Sequence, residues 1–168
     1  MLRFAGIFLT VLFVLFGIEM LNPVQKAVVQ PFTFFLAEVS SAIIAPFDDT
    51  AISFGKIIQN KVNGFAVSIE SGCNGVEAII MLAAAVIAFP ATLKQKVAAI
   101  ILGSLAIQVL NIARIISLYY LGQWSFAAFE WAHLYIWPVL IMVDVLIVFL
   151  VWLNYLNRQS PQTNEAAA

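Results

Sequence analysis

The chain has 168 residues, 63% of them hydrophobic and only 10% charged, with a mean hydropathy of +1.00. That composition lies outside the range of soluble domains and indicates an integral membrane protein of one domain, with room for no soluble unit beyond a loop of a few dozen residues. The net charge of −1 identifies no partner and gives no reason to expect nucleic-acid binding, and the single cysteine excludes an internal disulfide.

About 20 helical residues cross the roughly 30 Å hydrocarbon core. Four segments meet that need approximately, the first running from Phe4 to Leu21. Arg3 precedes it as in a signal peptide, but no small-residue cleavage pattern follows, so it reads as a retained anchor. The stretch 22–72 is expected to lie outside the membrane. Within it, 32–47 is apolar but short and carries Glu38, Ser40 and Ser41, which suits a helix in the interface, with a fifth span as the alternative. After Asp48 and Asp49, the runs 56–62 and 65–70 flank Asn63-Gly64, a hairpin signal with Phe65, Val67 and Ile69 alternating. Three further spans follow at 76–89, 97–116 and 134–155, and 157–168 reads as a disordered cytoplasmic tail.

The expected fold is therefore an all-α membrane bundle of about four spans, with an interfacial helix and a small β-hairpin. Residues 1–156 form one domain, with an outer loop at 22–72 and a core at 70–156. Arg3, Lys94, Lys96 and Arg158 fall on one side if the spans alternate, whereas Lys26, Lys56 and Lys61 on the other are diluted by acidic residues. Both termini are thus expected in the cytoplasm.

Depth arithmetic at 1.5 Å per helical residue brings distant residues to one level. The climb from Cys73 down to Pro90 nearly equals that from Lys96 back to Arg114, and His133, the only histidine, enters the last span at the same level. Each has a bland reading. Cys73 can be a small apolar filler, Arg114 can snorkel to headgroups, and His133 can belong to an aromatic belt with Trp124, Trp131, Tyr135 and Trp137. Together they supply the parts of acyl transfer through a thioester: a thiol made nucleophilic by a helix N-terminus, an imidazole to move its proton, and a cation for developing negative charge. One histidine and one cysteine offer no standard metal-ligand spacing, and no cofactor is expected.

Glu70-Ser71-Gly72-Cys73-Asn74-Gly75, then Asn111-Ile112-Ala113-Arg114, then His133 ahead of the last span, resembles the exosortase/archaeosortase family of membrane cysteine transpeptidases, and most closely the exosortase H type. The resemblance covers 70–156. It implies that Cys73 is the nucleophile, with Arg114 and His133 as its catalytic partners. The implied substrate is an exported protein's C-terminal sorting signal of the IPTL class, comprising a motif, a transmembrane helix and a basic tail. A lipid or glycan amine, or water, is then the acceptor, and the site faces the periplasm from a bacterial inner membrane. Two departures stand out: Asn74 occupies a position where many relatives have serine, and the N-terminal spans of larger members are missing.

Four supporting residues complete the expectation. Asn74 and Gly75 flank the thiol, Glu77 lies one turn below it and can pair with Arg114 or merely pack, and Asn111 can position Arg114 or a peptide carbonyl. Asp144 is expected near the bilayer centre level with Ser104, and Glu130 can orient His133 or stand exposed at the interface. Rival readings are a non-enzymatic accessory or transporter subunit, in which Cys73 merely packs, and a thiol redox protein that borrows a second cysteine.

Overall fold

A computed structural model describes the backbone of residues 2–165 and the side chains through Arg158. Helix α1 (Leu2–Glu19) is exposed along nearly its whole length, and its neighbour in the bundle is α3 (Val76–Ala88). The chain turns at Met20 and Leu21 into α2 (Asn22–Ile44), which opens on Pro23, a residue suited to the first helical turn. Gln25 ties the two helices together by donating to the Glu19 carbonyl (2.9 Å) and to its carboxylate (2.6 Å). The hydrogen bonding of α2 is π-type over Gln25–Val29, and its buried face carries Thr33, Leu36, Ala37, Ser40, Ser41 and Ile44 at helical spacing.

A three-stranded antiparallel sheet follows, in the order β1 (Ala51–Phe54), β2 (Ile57–Asn60) and β3 (Ala66–Ser68). Phe54 pairs with Ile57, leaving a two-residue turn at Gly55-Lys56. Gly55 has φ +56° and no non-glycine residue described has positive φ, the pattern of a type II′ turn. The second connection is held by the Asn60 side chain, which accepts from the N–H groups of Val62 and Asn63, while Gly64 takes φ +73°. The sequence signal marked the second hairpin correctly. It missed β1, whose four residues, Ala-Ile-Ser-Phe, are too few to stand out from the loop before them.

Helix α4 (Leu93–Trp124) starts with a capping box between Thr92 and Gln95 and runs for 32 residues, about 48 Å at 1.5 Å per residue. That exceeds the hydrocarbon thickness. The expected end at Ile116 is overrun because Tyr119, beyond it, is buried against the sheet and α2 instead of meeting lipid. Asn60 and Asn63 both donate to Gln123 Oε1 at 2.9 Å, and the Phe65 ring seats against Gly122. Helix α5 (Phe126–Arg158) passes through a π-helical turn at Ala132–Ile136 and then packs on α3 and α4. Its backbone continues helical to Glu165, through most of the segment read as a disordered tail, since extending an existing helix needs no new nucleus. Residues 166–168 lie outside the described residues.

Among the described residues, four helices are long and apolar enough to cross a membrane, and the architecture is the expected helical bundle with a small sheet. They are not the four expected. Helix α2, with 23 residues from Asn22, qualifies, whereas α3 has 13 residues and spans about 20 Å. Packing separates their roles: α3 is enclosed by α1, α4 and α5, while α2 lies over the sheet and the far end of α4. Two cores result. One joins Leu82, Val86, Ile107, Val145 and Trp152 within the bundle, and the other joins Leu36, Ile44, Ile58, Ile69, Ile115 and Tyr119 beneath the sheet.

The helices of the bundle approach closely at Gly103, since a Cβ there would lie 2.4 Å from Leu82 Cδ2 and 2.8 Å from Val148 Cγ1. Gly103→Leu is therefore expected to cost about 1–3 kcal/mol and to lower the thermal midpoint in detergent. Gly17→Leu, at a position with nothing within 4 Å, should leave that midpoint nearly unchanged.

Candidate active site

The loop Ser71–Gly75 crosses the junction of the two cores. Cys73, half-buried, packs against the sheet core, and the helix that follows belongs to the bundle. Positive φ at Gly72 (+83°) and Gly75 (+77°) lets the chain double back around the thiol. Asn74 is 1% exposed and braces the bend three ways. Its Oδ1 accepts from the Val76 N–H (3.0 Å), capping α3; its Nδ2 donates to Thr33 Oγ1 (3.1 Å) on α2; and its carbonyl accepts from Gln108 Nε2 (3.1 Å) on α4.

Arg114 reaches this loop from α4. Its Nη1 donates to the Gly72 carbonyl at 3.3 Å, and its Nη2 lies 3.5 Å from Cys73 Sγ. The residue is 6% exposed, and its Nε has no partner. Snorkelling is thereby excluded, because the guanidinium turns inward to the thiol. Asn111, fully buried one turn below, donates to Gln108 Oε1 (3.3 Å) and leaves its own Oδ1 unsatisfied. No hydrogen bond joins it to Arg114.

Glu77 does not pair with Arg114. Its Oε1 instead accepts from the Gly72 N–H at 2.6 Å, and Lys56–Glu70, at the base of the hairpin, is the only ion pair among the described residues. The short step from Gly72 to Glu77 favours the backbone bond over a reach across to α4. His133 stands on the π-helical turn of α5, stacked on Phe129 with ring centroids 5.6 Å apart. It lies within electrostatic reach of Arg114 but makes no hydrogen bond to Cys73, and its Nδ1 is buried without a partner. Glu130 makes no hydrogen bond to His133. Asp144 is remote from the thiol, lining a cavity of about 910 Å³ between α4 and α5 with Gly103 and Trp152.

A smaller cavity of about 180 Å³ opens beside the loop, lined by Gly72, Gly75, Glu77 and Arg114 at one end and by Met81, Ile141 and Val145 at the other. It runs from the polar loop down between α3 and α5. No cluster of three metal-ligating side chains exists among the described residues.

The transmembrane exosortase family model (Exosortase_EpsH) matches residues 1–157. The chain belongs to the exosortase family. No curated protein and no solved structure matches it. Membership also makes this exosortase a multi-pass membrane protein, in agreement with its apolar helices.

The thiol of this exosortase is not activated at rest in the way its place before a helix suggested. Burial pushes the Cys73 thiol above its ordinary range, Arg114 partly offsets that, and the nearby Glu77 carboxylate adds to the rise. Burial is the largest of these influences and outweighs the guanidinium. Gln108 and Thr33 were missed in the sequence; both are polar residues on apolar helix faces, and Gln108 sits three residues before Asn111, where the two share a face.

Cys73 is the only cysteine, so its alkylation by iodoacetamide reads this environment directly. The rate in wild type should climb with pH into the alkaline range. Arg114→Ala removes the offsetting cation and should move the profile to higher pH. Glu77→Gln keeps an acceptor for Gly72 but removes the charge, and should move it to lower pH.

Proposed function

We propose that this exosortase is a cysteine transpeptidase that cleaves the C-terminal sorting signal of exported proteins through a thioester on Cys73. The observation that carries the reading is the buried Arg114 guanidinium 3.5 Å from the chain's only thiol. A cation so placed stabilises a thiolate more than a thiol, so its benefit is realised when the sulfur gives up its proton.

The chemistry runs in two halves. In the first, His133 takes the thiol proton as Sγ attacks the carbonyl carbon of the scissile bond, and an S–C bond forms while the carbonyl π pair moves to oxygen. Collapse of that adduct re-forms the C=O, breaks the C–N bond and releases the amine with the proton held by His133. In the second, His133 takes a proton from water or from an amine of a lipid or glycan carrier as it attacks the thioester, and the S–C bond breaks to return the thiolate. Support for His133 is its unpartnered Nδ1 and its proximity to Arg114. The missing hydrogen bond to Cys73 fits an unliganded site, where such contacts are loose.

The substrate assignment draws support from the family and from the geometry. A sorting signal of the IPTL class carries a short motif and a membrane helix. The cavity between α3 and α5 offers that helix a lateral approach to the thiol. The site is assigned to the periplasmic face of a bacterial inner membrane, with both termini cytoplasmic. Arg3, Lys94, Lys96 and Arg158, at the membrane ends of α1, α4 and α5, support that orientation.

Co-expression with a protein bearing such a signal tests the reading. Cys73→Ala should abolish processing, and Arg114→Ala or His133→Ala should lower it by about 10²-fold or more at equal membrane abundance. Processing unchanged in Cys73→Ala would leave the chain as a non-enzymatic accessory protein.

A further inference from the structure

The backbone N–H groups of the thiol loop divide into committed and uncommitted. Gly72 donates to Glu77 Oε1 (2.6 Å), Cys73 to the Glu70 carbonyl (2.9 Å) and Val76 to Asn74 Oδ1 (3.0 Å). Among the described residues, the N–H groups of Asn74 and Gly75, the two that follow the thiol, have no acceptor. The peptide between these two residues is gripped from its opposite edge. Gln108 Nε2 donates to the Asn74 carbonyl at 3.1 Å, and Asn111 Nδ2 donates to Gln108 Oε1 at 3.3 Å, so the amide of Gln108 is itself held in one orientation.

A peptide is planar and trans, so a donor that fixes its carbonyl also fixes the direction of its N–H. Gly75 leaves no room for the grip to slacken, since a Cβ there would lie 2.7 Å from Gln108 Nε2 and 3.3 Å from Asn111 Nδ2. Gly75 and Arg114 line the same cavity beside the thiol, and the Nε of the arginine is buried without a partner. Arg114 is occupied at its other end by Cys73 Sγ and the Gly72 carbonyl.

We propose that the Gly75 N–H, assisted by that of Asn74, is the oxyanion donor of the site, and that Gln108 is the positioning residue that aims it. The assignment rests on the acyl-transfer reading above and divides its labour. Arg114 serves the sulfur before attack. When Sγ bonds to the scissile carbonyl carbon and the π pair moves onto oxygen, that oxygen accepts from the Gly75 N–H. When the C=O re-forms and the C–N bond breaks, the hydrogen bond weakens again. Preset donors of this kind act on the transition state and leave substrate binding alone.

Two reactions of the same sulfur separate the roles. Alkylation by iodoacetamide needs the thiolate but no oxyanion donor, whereas processing needs both. Gln108→Met, close in size and without a donor, and Gln108→Ala are measured in the full-length protein in membranes. The expected result is a kcat for signal processing at least about tenfold lower, with KM within about twofold and the rate and pH profile of Cys73 alkylation as in wild type. Alkylation falling in step with processing would overturn the assignment, because Gln108 would then only hold the loop together. An unchanged kcat in the Met variant would overturn it too. Processing by wild type that survives Cys73→Ala is a separate result, which removes the acyl-transfer reading itself.

Discussion

A guanidinium withdrawn from water among apolar helices costs several kcal/mol unless its donors meet acceptors or an anion. At Arg114 the neighbours that answer this demand are the Gly72 carbonyl and the sulfur of Cys73. The first is a neutral dipole, and the second becomes an anion only when it loses its proton. The cation is thus incompletely compensated in the resting state and better compensated once the thiolate forms. The energetic deficit at one buried side chain becomes a bias toward the nucleophilic form of another.

The architecture explains how an arginine comes to be buried there. The bundle core beneath and the sheet core above are packed by different residues of the same long helix, Ile107 in the first and Ile115 in the second. Asn111 and Arg114 fall between them, at the seam where the loop from β3 crosses into α3. Gln108, Asn111 and Arg114 present to that seam a polar face nearly two turns long. Thr33 closes it from the side of α2 through Asn74. The site is therefore built on two rigid helices, and only its loop is irregular, with glycine at the two positions where the backbone needs positive φ. The high proton affinity of the resting thiol follows from the same enclosure. Seclusion that raises the cost of charge on sulfur also strengthens every fixed dipole aimed at the reacting atoms.

Much of this was legible in the sequence because hydropathy and spacing are local. The membrane class, the Asn60–Ala66 connection of the hairpin and the common depth of Cys73 and Arg114 all follow from counts along helices and from turn chemistry. The differences in element bounds arose where tertiary contacts override those counts. Val76–Ala88 read as a span because it is strongly apolar, yet its shortness is tolerated by enclosure among three helices. Asn22–Ile44 begins earlier than its apolar pattern suggests because Pro23 suits a first helical turn and Gln25 ties that turn to α1. The partner of Glu77 was not legible because backbone N–H groups in an irregular loop leave no mark in a sequence. Gln108 was overlooked for the same reason: what it binds is a carbonyl, visible only once the loop is folded.

The most direct test of the central claim is to look for the covalent intermediate. Membranes containing this exosortase and a sorting-signal substrate would be quenched in acid, and the peptide carrying Cys73 examined by mass spectrometry with and without hydroxylamine. The account predicts an adduct on Cys73 with the mass of the substrate segment upstream of the cut, removed by hydroxylamine as a thioester must be. Substrate cleaved at the normal rate while Cys73 stays unmodified throughout the reaction would contradict it.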